Sequence, residues 1–101
     1  MKLSLLISIF LSVSLFANTE YEICKNDLQS MYKHNFNAQD LFLENQLDDA
    51  RNQFHMSIEF ANKALTNCEN FSKIDFNYMY NYIIYSENEI SKIDNIKAYK
   101  E

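Results

Sequence analysis

The 101-residue chain contains no glycine, no proline and no tryptophan. Tight two-residue hairpins need positive φ at one or both central residues, and the left-handed caps that often end helices need the same. Glycine is the usual residue for both. Its absence disfavours a β-rich fold with many short turns and favours a few long helices. Asparagine, which tolerates the left-handed conformation better than most non-glycine residues, must then take the links. The lack of glycine also removes phosphate-cradling loops and the Gly-x-Ser-x-Gly elbow of hydrolases. Histidine and cysteine are scarce, with two of each. The cysteines, Cys24 and Cys68, lie too far apart for a C-x-x-C redox pair, and neither belongs to a haem attachment motif.

A long apolar run is also missing. The most apolar segment, Leu3 to Phe16, follows Lys2 and ends at Ala17, the layout of a secretory signal peptide. It is short of the roughly 20 residues needed to span a bilayer core. Cleavage is expected after Ala17, so that residues 1–17 are a leader and 18–101 one helical domain. Tyr21, Glu22 and Ile23 precede Cys24, unlike the small residues that precede a lipid-bearing cysteine, so Cys24 is expected to stay a thiol in the mature chain. Loss of Lys2 with the leader takes the formal charge of −5 to −6. That balance argues against nucleic acid or an anionic membrane surface and permits a basic protein partner.

The remaining chain has helical period throughout. Thr19-Glu20-Tyr21-Glu22 has the form of a capping box and opens a first helix, about 19–44, with a stripe at Cys24, Leu28, Met31, Ala38 and Phe42. After a link at Asn45-Gln46-Leu47, Asp48 and Asp49 favour the positive end of a second helix, about 48–67, with a stripe at Leu47, Ala50, Phe54, Ser57, Ala61, Ala64 and Cys68. A third helix is expected over about 72–99, opened by Ser72 with Asp75 three residues later. Its stripe is Phe76, Met79, Ile83, Ser86, Ile90 and Ile93. Residues 76–83, FNYMYNYI, also have strand propensity, but a single strand has nothing to pair with.

Folding the first two helices back on each other near residue 46 places positions whose numbers sum to 92 at one level. Cys24 then faces Cys68. Leu28 meets Ala64, Met31 meets Ala61, Ala38 meets Phe54 and Phe42 meets Ala50, so each apolar level sets a large residue against a small one. The single polar level pairs Asn35 with Ser57, which can hydrogen-bond each other. An exported chain whose two cysteines face each other at one level is expected to form one disulfide. The predicted fold is all-α: a disulfide-closed antiparallel hairpin plus a third helix, a three-helix bundle.

Residues 38–58, AQDLFLENQLDDARNQFHMSI, resemble one tetratricopeptide-type helical hairpin. Ala38, the turn at Asn45, Leu47, Ala50, Phe54, Ser57 and Ile58 fall where that family places small, turn, apolar, alanine, aromatic, small and apolar residues. The family's glycine and closing proline are missing, and its stacks normally need three or more units. The resemblance implies helix-hairpin packing over these residues.

Nothing in the chain has the pattern of a catalytic site, and no enzyme activity or cofactor is expected. His34 and His55, with Asp40 or Glu59, are the only ingredients of a metal site, and they lack the spacing of a helical one; exposed histidines are the plainer expectation. Glu59 with Lys63 and Asp94 with Lys97 have the spacing of surface ion pairs. The distinctive feature is the tyrosine content of the third helix. Tyr78, Tyr80, Tyr82 and Tyr85 point all round it, so some must face water, and exposed tyrosine is a common interface residue that also stacks on sugars. The expected function is non-catalytic binding of another protein in the periplasm or outside the cell. The surface would be Tyr78, Tyr82 and Tyr85, extended by an unpaired isoleucine end at Ile90 and Ile93. Two alternatives are an inhibitor or immunity protein against an exported toxin or cell-wall hydrolase, and a periplasmic metal-binding protein using His34 and His55.

Overall fold

The computed structural model describes residues 2–71 and 74–100. They form three α-helices and no strand: α1 Lys2–Leu43, α2 Leu47–Asn67 and α3 Phe76–Lys100. The strand alternative for residues 76–83 is therefore overturned, and tertiary packing has outweighed local β propensity there. The first helix differs from expectation at its start. It passes through Thr19 without a break, so the capping box there is not a helix start in the full-length chain. The Ser72 cap expected for the third helix lies outside the described residues. What holds the start of α3 is Asp75, whose Oδ1 accepts from the amide of Asn77 at 2.9 Å, an N-cap one step before Phe76.

The α1–α2 turn shows how the chain manages without glycine. Asn45 has φ of 63°, the only positive φ among the described residues. Around it, the Asn45 amide donates to the Phe42 carbonyl at 3.0 Å and the Gln46 amide to the Leu41 carbonyl at 2.9 Å. These are the two bonds of a Schellman cap, with asparagine standing where glycine usually does. Asp48 and Asp49 then sit in the first turn of α2, where the helix dipole favours negative charge.

The turn folds α1 and α2 into an antiparallel hairpin locked by a disulfide between Cys24 and Cys68, whose Cα atoms are 5.0 Å apart. The expected levels are present. Cys24, Met31, Ala61, Ala64 and Cys68 share one buried cluster, which α3 completes with Met79. Ala38, Ala50 and Phe54 share a second, which α3 completes with Ile90 and Ile93. The buried face of α2 is Ala50, Phe54, Ser57, Ala61 and Ala64. With one large residue among five, α2 is narrow enough for helices to close on it from two sides.

α3 runs antiparallel to α2. Lys100 Nζ reaches Asn45 Oδ1 at 3.5 Å, Lys97 pairs with Asp48, and Arg51 Nε lies 2.8 Å from Asp94 Oδ1. The pairs step by three down α3 and from the α1–α2 turn into α2, and so mark a single register. They also correct the expectation that the far end of the third helix lacks an intramolecular partner. Ile90 is 8% exposed and Ile93 fully buried, both against Ala38, Ala50 and Phe54, so neither is available to another protein. α2 packs along both other helices, whereas α1 and α3 scarcely meet. The weak contact leaves a seam between α1 and α3 that is recessed along part of its length.

Candidate functional site

At the middle of the bundle one polar cluster joins all three helices. Asn35 Nδ2 donates to Ser57 Oγ at 3.3 Å and to Ser86 Oγ at 3.0 Å. Ser57 Oγ donates to the Met31 carbonyl at 2.9 Å, and Gln39 Nε2 donates to Asn35 Oδ1 at 2.7 Å. Asn35, Ser57 and Ser86 are buried, and no buried side-chain nitrogen or oxygen of the described residues lacks a partner. The Asn35–Ser57 pairing is the one read from the register. The addition of Ser86 is new, and it makes the cluster a three-way register pin, because sliding any helix strands a buried amide or hydroxyl.

Above this floor lies the seam between α1 and α3. Near its centre is a recess of about 360 Å³ lined by Asn35, Gln39, Asn81, Tyr82 and Tyr85. A smaller recess of about 200 Å³ shares Gln39 and Tyr85 and adds Phe42, Leu43, Phe54 and Glu89. Toward the disulfide, a tyrosine cluster bridges the seam: Tyr32 meets Tyr82 edge-on at 5.1 Å and Tyr78 at 6.3 Å. Beyond it is an apolar recess of about 610 Å³ between α1 and the α2–α3 link, with Leu28, Phe71 and Ile74 in its walls and Lys25 among its lining residues.

Burial raises the phenol pKa values of Tyr32 and Tyr82, and their tyrosine neighbours push in the same direction. Burial also raises that of Tyr85, with Glu89 adding to the effect and Lys92 opposing it. These phenols are therefore neutral hydrogen-bonding groups at physiological pH. Arg51 holds the Asp94 carboxylate below its usual range through their hydrogen bond, but that pair lies on the α2–α3 side, away from the seam.

Of the tyrosines proposed from the sequence, Tyr78 is 55% and Tyr85 41% exposed, while Tyr82 is half-buried against Tyr32. The structure brings all three to the seam. Tyr80 is exposed as well, on the opposite side of α3 by helical position. Sequence reasoning missed the α1 side of the seam, where Leu43, 84% exposed, lines the smaller recess and Phe36, 57% exposed, lies one turn from Tyr32 by helical position. Both fall off the inward stripe, and that was the available signal. The histidines do not converge. His34 is half-buried in the α1–α2 seam rather than exposed, with Nδ1 2.6 Å from Gln53 Oε1 and its ring stacked on Phe60 at 5.4 Å. His55 is exposed on α2. Among the described residues no three histidine, cysteine, aspartate or glutamate side chains are grouped to hold a metal ion, and no helix is long and apolar enough to cross a membrane.

The disulfide is the mark of an oxidising compartment such as exported proteins meet. Comparison with protein families, curated proteins and solved structures gave no match.

Proposed function

We propose that this chain is an exported, non-catalytic binding module that docks another protein across the α1–α3 seam, in the periplasm or outside the cell. The observation that carries the reading is the set of exposed aromatic and apolar side chains along the seam: Leu43 and Tyr85, which line one recess, and Tyr78, which meets Tyr32 across the seam, with Phe36 one turn from Tyr32 by helical position. Isolated exposed apolar residues are ordinary, but a concentration of aromatics around one concavity is the composition of a protein interface. The rings are also held in place, Tyr78 by Tyr32 and Tyr82 and Tyr85 by Phe54, so little ordering entropy is lost on docking.

The leader reading belongs to the same proposal. Removal of residues 1–17 leaves Thr19 close to the new N terminus, where the Thr19–Glu22 box caps the helix it only passes through in the full-length chain. The experiment is to crosslink the tagged protein in its exported compartment and compare it with Phe36→Ala/Tyr78→Ala. The variant is expected to lose at least about tenfold of its crosslinked partner while keeping its helical circular dichroism. Equal recovery by both proteins would refute the seam as the docking face. Salt is a second discriminator, because the seam recesses include only Lys25 and Glu89 as charged side chains. Seam docking is expected to survive high salt; an inhibitor steered by the acidic outer faces would be released.

A further inference from the structure

We infer that the central recess of the seam binds a neutral sugar, a pyranoside unit carrying neighbouring hydroxyls and an N-acyl substituent. The lining is three amides and two phenols, Asn35, Gln39, Asn81, Tyr82 and Tyr85, with no charged side chain. Asn35 is committed to the floor: its amide donates twice and its oxygen accepts from Gln39. Gln39 gives one N–H to that bond and keeps its carbonyl oxygen and second N–H. The side chain of Asn81 and the hydroxyls of Tyr82 and Tyr85 make no hydrogen bond to other described residues.

The recess thus offers unspent groups that both donate and accept, which is what a set of hydroxyls on a ring requires, since each of them also donates and accepts. The lining itself holds no cation for a phosphate or carboxylate and no anion for an ammonium, and the nearby Glu89 and Lys92 are paired with each other at 2.9 Å. Flat faces for the C–H side of a sugar ring come from the two tyrosines, each held by a neighbouring ring, Tyr82 by Tyr32 and Tyr85 by Phe54. The volume of about 360 Å³ is at the small end of ligand pockets. The adjoining recess shares Gln39 and Tyr85 and is walled by Phe42, Leu43 and Phe54, so an acyl group on the ring has an apolar place to go.

The test is a titration of the isotope-labelled protein with N,N′-diacetylchitobiose, followed by NMR of the side-chain amides. Gln39 and Asn81 are expected to shift together with an apparent Kd of about 1 mM or tighter, and Gln39→Ala/Asn81→Ala is expected to weaken binding at least about tenfold, with a lowered melting temperature because Asn35 Oδ1 loses its donor. Asn81→Ala alone, at an exposed position, guards against a folding artefact. The proposal is overturned if neither amide moves up to about 10 mM disaccharide. It is equally overturned if the double variant binds as well as the parent, or if acetyl-Ala-Ala-methylamide moves these amides and the disaccharide does not. Phe36→Ala/Tyr78→Ala, the protein-docking variant, is expected to leave sugar binding intact, so the two readings fail independently.

Discussion

Replacing both cysteines by alanine tests the architecture most directly. The bridge joins positions separated by 44 residues. In the chain-entropy description a loop of that length removes about 13 cal/mol/K from the unfolded ensemble, or about 4 kcal/mol at 25 °C. That is the order of the whole stability of a small domain, about 5–15 kcal/mol. Cys24→Ala/Cys68→Ala should therefore lower the folded-to-unfolded ratio by about a thousandfold. The loss acts mainly through the unfolded chain, so it carries a second signature. The unbridged chain expands further on unfolding and exposes more surface, which raises the urea m-value. Equilibrium urea denaturation with far-UV circular dichroism reads both quantities. A loss below about 1 kcal/mol, or an m-value that does not rise, would refute the account of the bridge as a constraint on the unfolded state.

The junction at Asn35 should show the non-additivity of a satisfied network. Asn35→Leu is expected to cost about 2–4 kcal/mol by thermal unfolding, because Ser57, Ser86 and Gln39 each lose a partner and the larger side chain must be fitted. Adding Ser57→Ala and Ser86→Ala should recover part of that loss, whereas additive costs would refute the network. On α3, Ile93→Ala should cost about 2–5 kcal/mol and Ile84→Ala, at a site 56% exposed, less than about 0.5 kcal/mol. Comparable effects at the two sites would contradict the assignment of the buried face. The raised phenol pKa values of Tyr32 and Tyr82 set a pH window. Their contribution is intact below the unfolded tyrosine value of about 10 and is lost as pH rises through the higher folded values. Chemical denaturation at successive alkaline pH values should show stability falling above about pH 10, less steeply in Tyr32→Phe/Tyr82→Phe.

The hairpin was legible because its information is local and periodic. Large residues face small ones across the α1–α2 hairpin, one asparagine sits where a left-handed turn is needed, and two cysteines share a level. Asn35 with Ser57 followed from the same register. What α3 does with that hairpin was not legible. Its stripe contains Ser86, which is unremarkable until Asn35 and Ser57 are known to leave an N–H pointing at it. The isoleucines at 90 and 93 were misassigned to an unpaired end because relative helix length was used in place of register, and register rests on Asp48–Lys97 and Arg51–Asp94, pairs between residues more than forty positions apart. The seam was half visible, since α3 advertises its tyrosines while Phe36 and Gln39 acquire meaning only beside them.

The covalent ring formed by α1, α2 and the bridge leaves α3 outside it as a tail. A pull applied at residue 100 and resisted at residue 24 loads only the contacts of α3, since the ring bears tension through sulfur. The tail should therefore peel away in a first, weak event, ion pairs at Arg51 and Asp48 opening before the level of Met79, while the ring stays closed. The seam, with one wall on the ring and one on the tail, disappears at that step, which makes its existence a report on whether the last quarter of the chain is in place.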